Sequence, residues 1–309
     1  MTERFRFSDD NKRYHTLNYH NLHTYGRKVH KAAIDCGFSC PNLDGTKGSG
    51  GCIFCSGGSG YFTAKSVLSV TEQFLAERER ICKKYPEAAI TAYFQANTNT
   101  YAPVEKLSAL YREAIAAGAD SLAIATRADC MDEERASLIS SLPLPVTVEL
   151  GLQTIHDTTA EAINRCHTFE EFLCGYKMLK AYGIRVCVHI INGLPDEDAD
   201  MMLETARVLG KLRPDGVKIH LLHVIEGTRL ADMYRNGAYQ PLSKEEYIDI
   251  VIRQLELLAP ETVIERITGD GDKRTTLAPK WSFDKISVLG GIDKRMVELD
   301  TWQGRGFTE

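Results

Sequence analysis

The 309-residue chain has no run of about 18 apolar residues, so no membrane-spanning helix is expected. Its first residues, MTERFRFSDDNKRYH, lack the apolar segment of a secretory signal, and a cytoplasmic location is expected. There is no low-complexity segment, and tryptophan is confined to Trp281 and Trp302. A positive excess is also missing. The 37 Lys and Arg against 42 Asp and Glu leave a net charge of −5, which excludes a protein that coats nucleic acid through bulk charge. Nine cysteines, an odd number without a secretory signal, argue against a disulfide framework and favour metal binding or reduced thiols.

What is present is ordinary for a globular protein with a sizeable core: 43% hydrophobic and 26% charged residues. The length allows two domains or one α/β barrel of roughly 250 residues. Charge is uneven. Residues 1–31 hold seven basic side chains (Arg4, Arg6, Lys12, Arg13, Arg27, Lys28, Lys31) against three acids, and four of the nine histidines. Such an arm either meets a phosphate backbone or is simply a solvated basic face.

From residue 65 onward, apolar strands alternate with amphipathic helices. Strands are predicted at 28–35, 88–95, 121–127, 146–152, 184–191 and 216–222. Helices are predicted at 70–85, 103–117, 132–141, 157–163, 169–182, 198–211 and 243–257. Short, almost wholly apolar strands are the mark of parallel strands buried on both faces. The expected fold is α/β, a partial (β/α)6 TIM-type barrel spanning 28–260, with a basic N-terminal arm (1–27) and a C-terminal extension or cap (261–309). Function in such folds sits on loops at the C-terminal ends of strands. The loop after the first strand, CGFSCPNLDGTKGSGGCIFCSGGSGYF (36–62), carries four of the nine cysteines.

Three chemistries suit those thiols. A closed zinc site would use Cys36, Cys40, Cys52 and Cys55 in the spacing C-x3-C-x11-C-x2-C. A redox dithiol would use Cys52 and Cys55, although the pair does not open a thioredoxin-like helix. An iron–sulfur cluster on three thiolates would leave one iron open. Spacing alone does not choose between zinc and cluster. A structural zinc staple is less needed on a well-formed barrel, and Gly57, Gly58 and Gly60 let backbone approach a ligand closely.

Cys40-Pro41 and Cys52-Ile53-Phe54-Cys55-Ser56-Gly57-Gly58, with a βα barrel behind them, resemble the radical S-adenosylmethionine (SAM) superfamily. The commonest motif there, C-x3-C-x2-C, is not met. The long first gap is similar to that of the Elongator catalytic-subunit branch and its YtqA/YhcC-like bacterial members. VELGLQTIHD (148–157), INRCHTFEEF (163–172), INGLPDED (191–198), residues 216–239 and RITGDG (266–271) continue the resemblance. AYFQANTNTYAP (92–103) departs from it, lacking the glycine run that many relatives carry there.

The resemblance implies a [4Fe-4S] cluster on Cys40, Cys52 and Cys55, with Cys36 a spare thiol. The open iron would chelate SAM, whose reductive cleavage yields a 5′-deoxyadenosyl radical that abstracts hydrogen from substrate. It implies SAM contacts from Phe54, Gly57 and Gly58 by backbone, from Gln95 and Asn97 to the amino group, and from Gln153 and Arg165, the latter to the carboxylate. His189 stands where relatives often place a ribose-binding acid, and Glu149 could face inward. For each of these the plain alternative is a satisfied barrel-interior polar group. Cys82, Cys130, Cys166, Cys174 and Cys187 read as small core residues. His220 and His223 could touch substrate or serve the loop. Trp281 and Trp302 could stack a base or pack the cap.

The resemblance further implies transfer RNA as partner, a one-electron donor such as flavodoxin or ferredoxin, and chemistry at C5 of the wobble uridine. The resemblance to the YtqA/YhcC-like members implies a change of a carboxymethylaminomethyl group to aminomethyl; the acetyl-CoA reaction of Elongator subunits is not expected, since the chain lacks room for their acetyltransferase domain. Two rivals stand beside it: a radical SAM enzyme on a small molecule such as a porphyrin or amino acid, and a non-enzymatic zinc-binding protein.

Overall fold

The computed structural model describes residues 5–56, 67–95, 97–269 and 271–308. The strands are β1 (Val29–Ile34), β2 (Ala89–Phe94), β3 (Ser121–Thr126), β4 (Val146–Gln153), β5 (Arg185–Asn192), β6 (Gly216–Leu221), β7 (Val224–Ile225), β8 (Val263–Arg266) and β9 (Thr276–Ala278). The helices are α1 (Leu17–Tyr25), α2 (Val70–Cys82), α3 (Val104–Ala116), α4 (Glu133–Ser140), α5 (Asp157–Ala162), α6 (Phe169–Ala181), α7 (Ala199–Leu212), α8 (Arg229–Arg235), α9 (Lys244–Leu257) and α10 (Lys285–Glu298).

Among these residues seven parallel strands form one sheet in the order β1-β2-β3-β4-β5-β6-β8. Neighbours in space are neighbours in sequence because each crossover carries its helix back over the sheet. The partial α/β barrel is as expected, with one strand more than six. β8 comes from residues assigned to the extension, whose four-residue, half-charged VIER gives no apolar run. Helices α1, α8 and α10 were likewise not predicted. Reciprocal caps at Ser69/Glu72, Thr168/Glu171 and Ser243/Glu246 start α2, α6 and α9. The apolar core fills the layer between sheet and helices, with Phe74, Tyr111, Phe172 and Tyr247 among its largest members.

The sheet curls so that side chains from its two edge strands reach one another. Lys31 on β1 lies 3.3 Å from Glu265 on β8, and Thr16, just before α1, bridges Ile264 of β8. An open edge is thereby covered. The inside of the barrel is polar rather than packed with branched apolar layers. Lys31, Tyr93, Glu149, Arg185, His189, Lys218 and Glu265 meet there through ion pairs and hydrogen bonds. A register shift between β6 and β8 inserts Glu265, so that both Glu265 and Arg266 address this interior.

The basic arm is largely neutralised by folding. Arg6 pairs with Glu261, Lys12 with Asp293, Arg13 with Asp300 at 3.0 Å and Arg27 with Asp120 at 2.9 Å. Lys31 serves the barrel interior. This supports the plain reading of the arm, a solvated face, over a phosphate-binding one.

Candidate active site

The C-terminal ends of the strands surround a cavity of about 410 Å³. Cys40, Cys52, Phe54 and Cys55 line it from the cysteine loop; Gln95, Asn97, Glu149, Gln153, Arg165 and His189 line it from the barrel. Ten of the twelve candidates therefore converge. The other two, Gly57 and Gly58, lie outside the described residues. Cys36 does not line the cavity. It packs against the core, and burial first, then Asp35, pushes its thiol up to about 12.

The long gap between Cys40 and Cys52 folds back on itself. Leu43 N–H donates to Cys40 O at 2.7 Å, Lys47 N–H to Pro41 O at 2.9 Å, and Gly51 N–H to Asn42 O at 2.8 Å. A bridge between Asp44 and Ser49 closes the turn. A second anchor comes from the segment after β4. Asn164 donates to Ser49 O at 3.1 Å and to Gly51 O at 2.8 Å, while Asn42 donates to Asn164 O. Asn42 also reaches Cys52 Sγ at 3.6 Å. Cys55 N–H closes on Cys52 O at 3.0 Å, and Ile53 is held by backbone bonds to Ile163 and Leu230.

Asn164 makes these contacts at φ +56°, a conformation asparagine tolerates better than alanine. Asn164→Ala removes both anchors and strains the turn, costing about 1–3 kcal/mol of loop stability. The expected outcome is faster loss of the loaded cluster to a chelator, followed by its absorbance, with the protein still folded.

Arg127, just past β3, was not singled out from sequence. Its guanidinium grips Asp129 through Nε at 2.9 Å and Nη2 at 2.8 Å, and Nη1 donates to Arg165 O at 3.0 Å. Burial pushes Asp129 up, but the hydrogen bonds and charge of Arg127 hold its carboxyl well below the ordinary range. The buried pair fixes the backbone of Arg165 and Cys166. Arg165 is itself buried. Nη2 donates to Gly151 O at 2.5 Å, and Nε has no partner among the described residues. Burial first, then Arg127, depresses its pKa. A buried guanidinium with a spare N–H facing a cavity is a receptor for an anion.

Glu149 is buried and engaged on every side. Lys31 lies 2.6 Å away, Lys218 pairs with it, Tyr93 Oη donates at 2.7 Å and His189 Nε2 sits at 2.9 Å. Burial raises its pKa, yet Lys218 and Lys31 together hold it well below 4.5. His189, committed to Glu149, is pushed down to about 4 by burial and Lys218, and is neutral at pH 7. These two residues form the cavity floor as a satisfied network. Asn97, at φ +58°, donates to Phe38 O at 2.7 Å and so supports the approach to the cysteine loop. Gln153 ends β4 at φ +75°, beside a register shift that turns its side chain toward Gly151. His220 and His223 also line the cavity.

The remaining cysteines are dispersed. Cys187 is fully buried, Cys82 packs on the core and Cys174 is exposed. Cys130 is pushed up to about 12 by burial and Asp129. Cys166 Sγ lies 3.5 Å from Asn164 Oδ1, at the back of the loop. Trp281 donates to Leu242 O at 3.1 Å and stacks near Tyr247, a packing role; Trp302 carries Arg305 over its ring.

A family model described as the radical SAM superfamily matches residues 45–209. The chain belongs to the radical SAM superfamily. A second model, the radical SAM C-terminal domain, matches residues 214–298. "Uncharacterized protein YtqA" of Bacillus subtilis is 44% identical over 307 residues, covering 98% of this chain and 95% of that one. "tRNA uridine(34) acetyltransferase" of Methanocaldococcus jannaschii is 35% identical over 153 residues, 48% of this chain and 28% of that one. The fold is shared with the solved Elp3 of Methanocaldococcus infernus at TM-score 0.70 and 19% identity, covering 90% of this chain and 64% of that one.

The cofactors of this radical SAM chain are accordingly a [4Fe-4S] cluster and SAM. The residues present fit them. Three thiols share one cavity with a buried guanidinium whose Nε is free for an anion. Among the described residues no three His, Cys, Asp or Glu side chains converge as one ion would require. Cluster thiolates bind separate irons and need no such convergence.

Proposed function

We propose that Cys40, Cys52 and Cys55 hold the cluster, and that the enzyme converts the carboxymethylaminomethyl group at C5 of tRNA wobble uridine to aminomethyl. The observation that carries the tRNA reading is the similarity to a protein named tRNA uridine(34) acetyltransferase, over 48% of this chain. The chemistry supplied by the bound cofactors is hydrogen-atom abstraction by a 5′-deoxyadenosyl radical, after reduction by a one-electron donor such as flavodoxin or ferredoxin.

The chain's own residues position the reactants. Arg165 would donate its guanidinium N–H groups to the SAM carboxylate, and Gln153 lies beside it on the same rim. Phe54 would offer backbone to the adenine end, Gly57 and Gly58 would let backbone approach SAM, and Gln95 and Asn97 would reach its amino group. Below them Glu149 is kept ionised by two lysines and Tyr93 stays protonated, so the floor is charged but saturated. A splayed single-stranded base suits such a cavity; no basic whole is needed.

Nucleoside analysis of tRNA from cells with and without the protein tests this. Cells lacking it are expected to accumulate the carboxymethylaminomethyl nucleoside and lose aminomethyl-derived forms. Unchanged wobble uridines would sink the reading.

A further inference from the structure

The wall made by β6 and β8 holds a cation that the reading above does not use. Lys218 and His220 lie two residues apart on β6 and share a face. Arg266 is the register partner of Lys218, so it faces the same interior, and all three line the cavity. Lys31, Arg185 and Lys218 each have a carboxylate partner: Glu149, Glu265 or both. Those two carboxylates are thereby saturated. Arg266 is left with no hydrogen-bond or ion-pair partner among the described residues. Four interior cations thus face two carboxylates, while Asp272, which also lines the cavity, is paired with Arg274 at 2.7 Å; a bound anion would relieve the imbalance.

His220 adds a second unused group. Its Nε2 is buried with no partner among the described residues. The ring lies 5.1 Å from that of His189, which fixes its position. Beyond Arg266 the chain lies close on His223: a Cβ placed on Gly269 or Gly271 would stand 3.0 or 3.2 Å from that ring.

We infer that Arg266 and His220 form an anion subsite, separate from the Arg165 subsite, that binds an acidic oxygen group of the substrate. The guanidinium offers a charged fork and the imidazole one further N–H, a donor set matched to carboxylate or phosphate. The assignment of the carrier rests on the wobble-uridine reading: there the anion is the carboxylate of the side chain to be removed. A backbone phosphate is the other source of the same chemistry.

The test uses reconstituted, SAM-loaded enzyme kept unreduced, so that binding is measured without turnover. The probes are two anticodon stem-loop RNAs of one sequence, bearing carboxymethylaminomethyluridine or aminomethyluridine, and inorganic phosphate. The carboxylate RNA is expected to bind roughly tenfold to hundredfold tighter than the aminomethyl RNA. Arg266→Gln should erase that preference, and Arg266→Lys should keep part of it. Equal loss for both RNAs, with competition by inorganic phosphate, upholds the subsite and assigns it to a phosphate. Arg266-dependent binding of inorganic phosphate without binding of either RNA upholds the subsite and removes the tRNA reading. Unchanged affinities in Arg266→Gln, or a matching loss of SAM affinity, overturn the subsite. Should Arg266→Gln misfold, Arg266→Lys and His220→Gln carry the same comparison.

Discussion

Alanine at Cys40, Cys52 or Cys55 is expected to leave a colourless protein after anaerobic reconstitution, with SAM cleavage at background. Each thiolate would hold a different iron, so no neighbour substitutes for a missing one. Two of the spare sulfurs are badly suited. Cys36 faces the core with its thiol pushed up to about 12, and Cys130 is pushed up likewise, so both resist the deprotonation that ligation needs. Cys36→Ala is the matched control. It removes one sulfur from a packed position and should cost about 1 kcal/mol while retaining the cluster's colour. Loss of the cluster in Cys36→Ala, or its retention in Cys52→Ala, would refute the ligand assignment. Zinc bound one per chain with no colour would point back to the four-thiolate site.

The second large effect is expected at the barrel floor. Glu149→Gln keeps shape and removes charge, leaving Lys218 buried without its carboxylate. Breaking a buried pair in this way costs about 3–5 kcal/mol. At this chain length the melting temperature should fall by about 10 °C. Adding Lys218→Met should recover part of the loss, because the stranded charge goes with it. The pH dependence has a definite sign. Glu149 has its pKa lowered on folding, so its contribution is complete above pH 4.5 and disappears as pH falls through the folded value. His189 is lowered from 6.5 to about 4, so the neutral ring stabilises above pH 6.5 and that stability drains away between 6.5 and 4. Both groups make acid destabilising, beginning near pH 6.5. A thermal-melt series from pH 7.5 down to 4 checks this. A melting temperature that rises as pH falls would contradict it.

How much of this was legible depended on whether a residue's role is local or tertiary. The first six strands announce themselves as apolar runs, and each lies within two residues of its predicted ends. β8 did not, because half of VIER faces a charged interior that an apolarity criterion misses. The strands looked apolar because their outward residues pack under helices; Glu149, His189 and Lys218 were the inward minority. The three thiols proposed as ligands were chosen from spacing and resemblance together, not from spacing alone, and the fold brings all three to one cavity. Asn164 and Arg127 were not readable. Each acts on chain more than 35 residues distant, Asn164 on Ser49 and Gly51, Arg127 on Arg165 and Cys166, and the local Arg127–Asp129 pair gives no sign of those contacts. The charge excess of the arm was read correctly as composition, but its counterions arrive from Asp120, Glu261, Asp293 and Asp300.

The way the barrel closes has a consequence during synthesis. Thr16 joins β8 at Ile264, and His15 N–H donates to Gln303 Oε1 while Gln303 N–H donates to Arg13 O. Gln303 also ties to Ala259 O and Thr262 O at 2.7 and 2.9 Å. The opening and closing segments of the chain therefore latch one another. During synthesis, β8 and the Gln303 segment reach Thr16 and Arg13 only after β2 to β6 have been made. The cysteine loop next to β1 is made early but receives its Asn164 and Arg229 supports later. Such long-range closure slows folding.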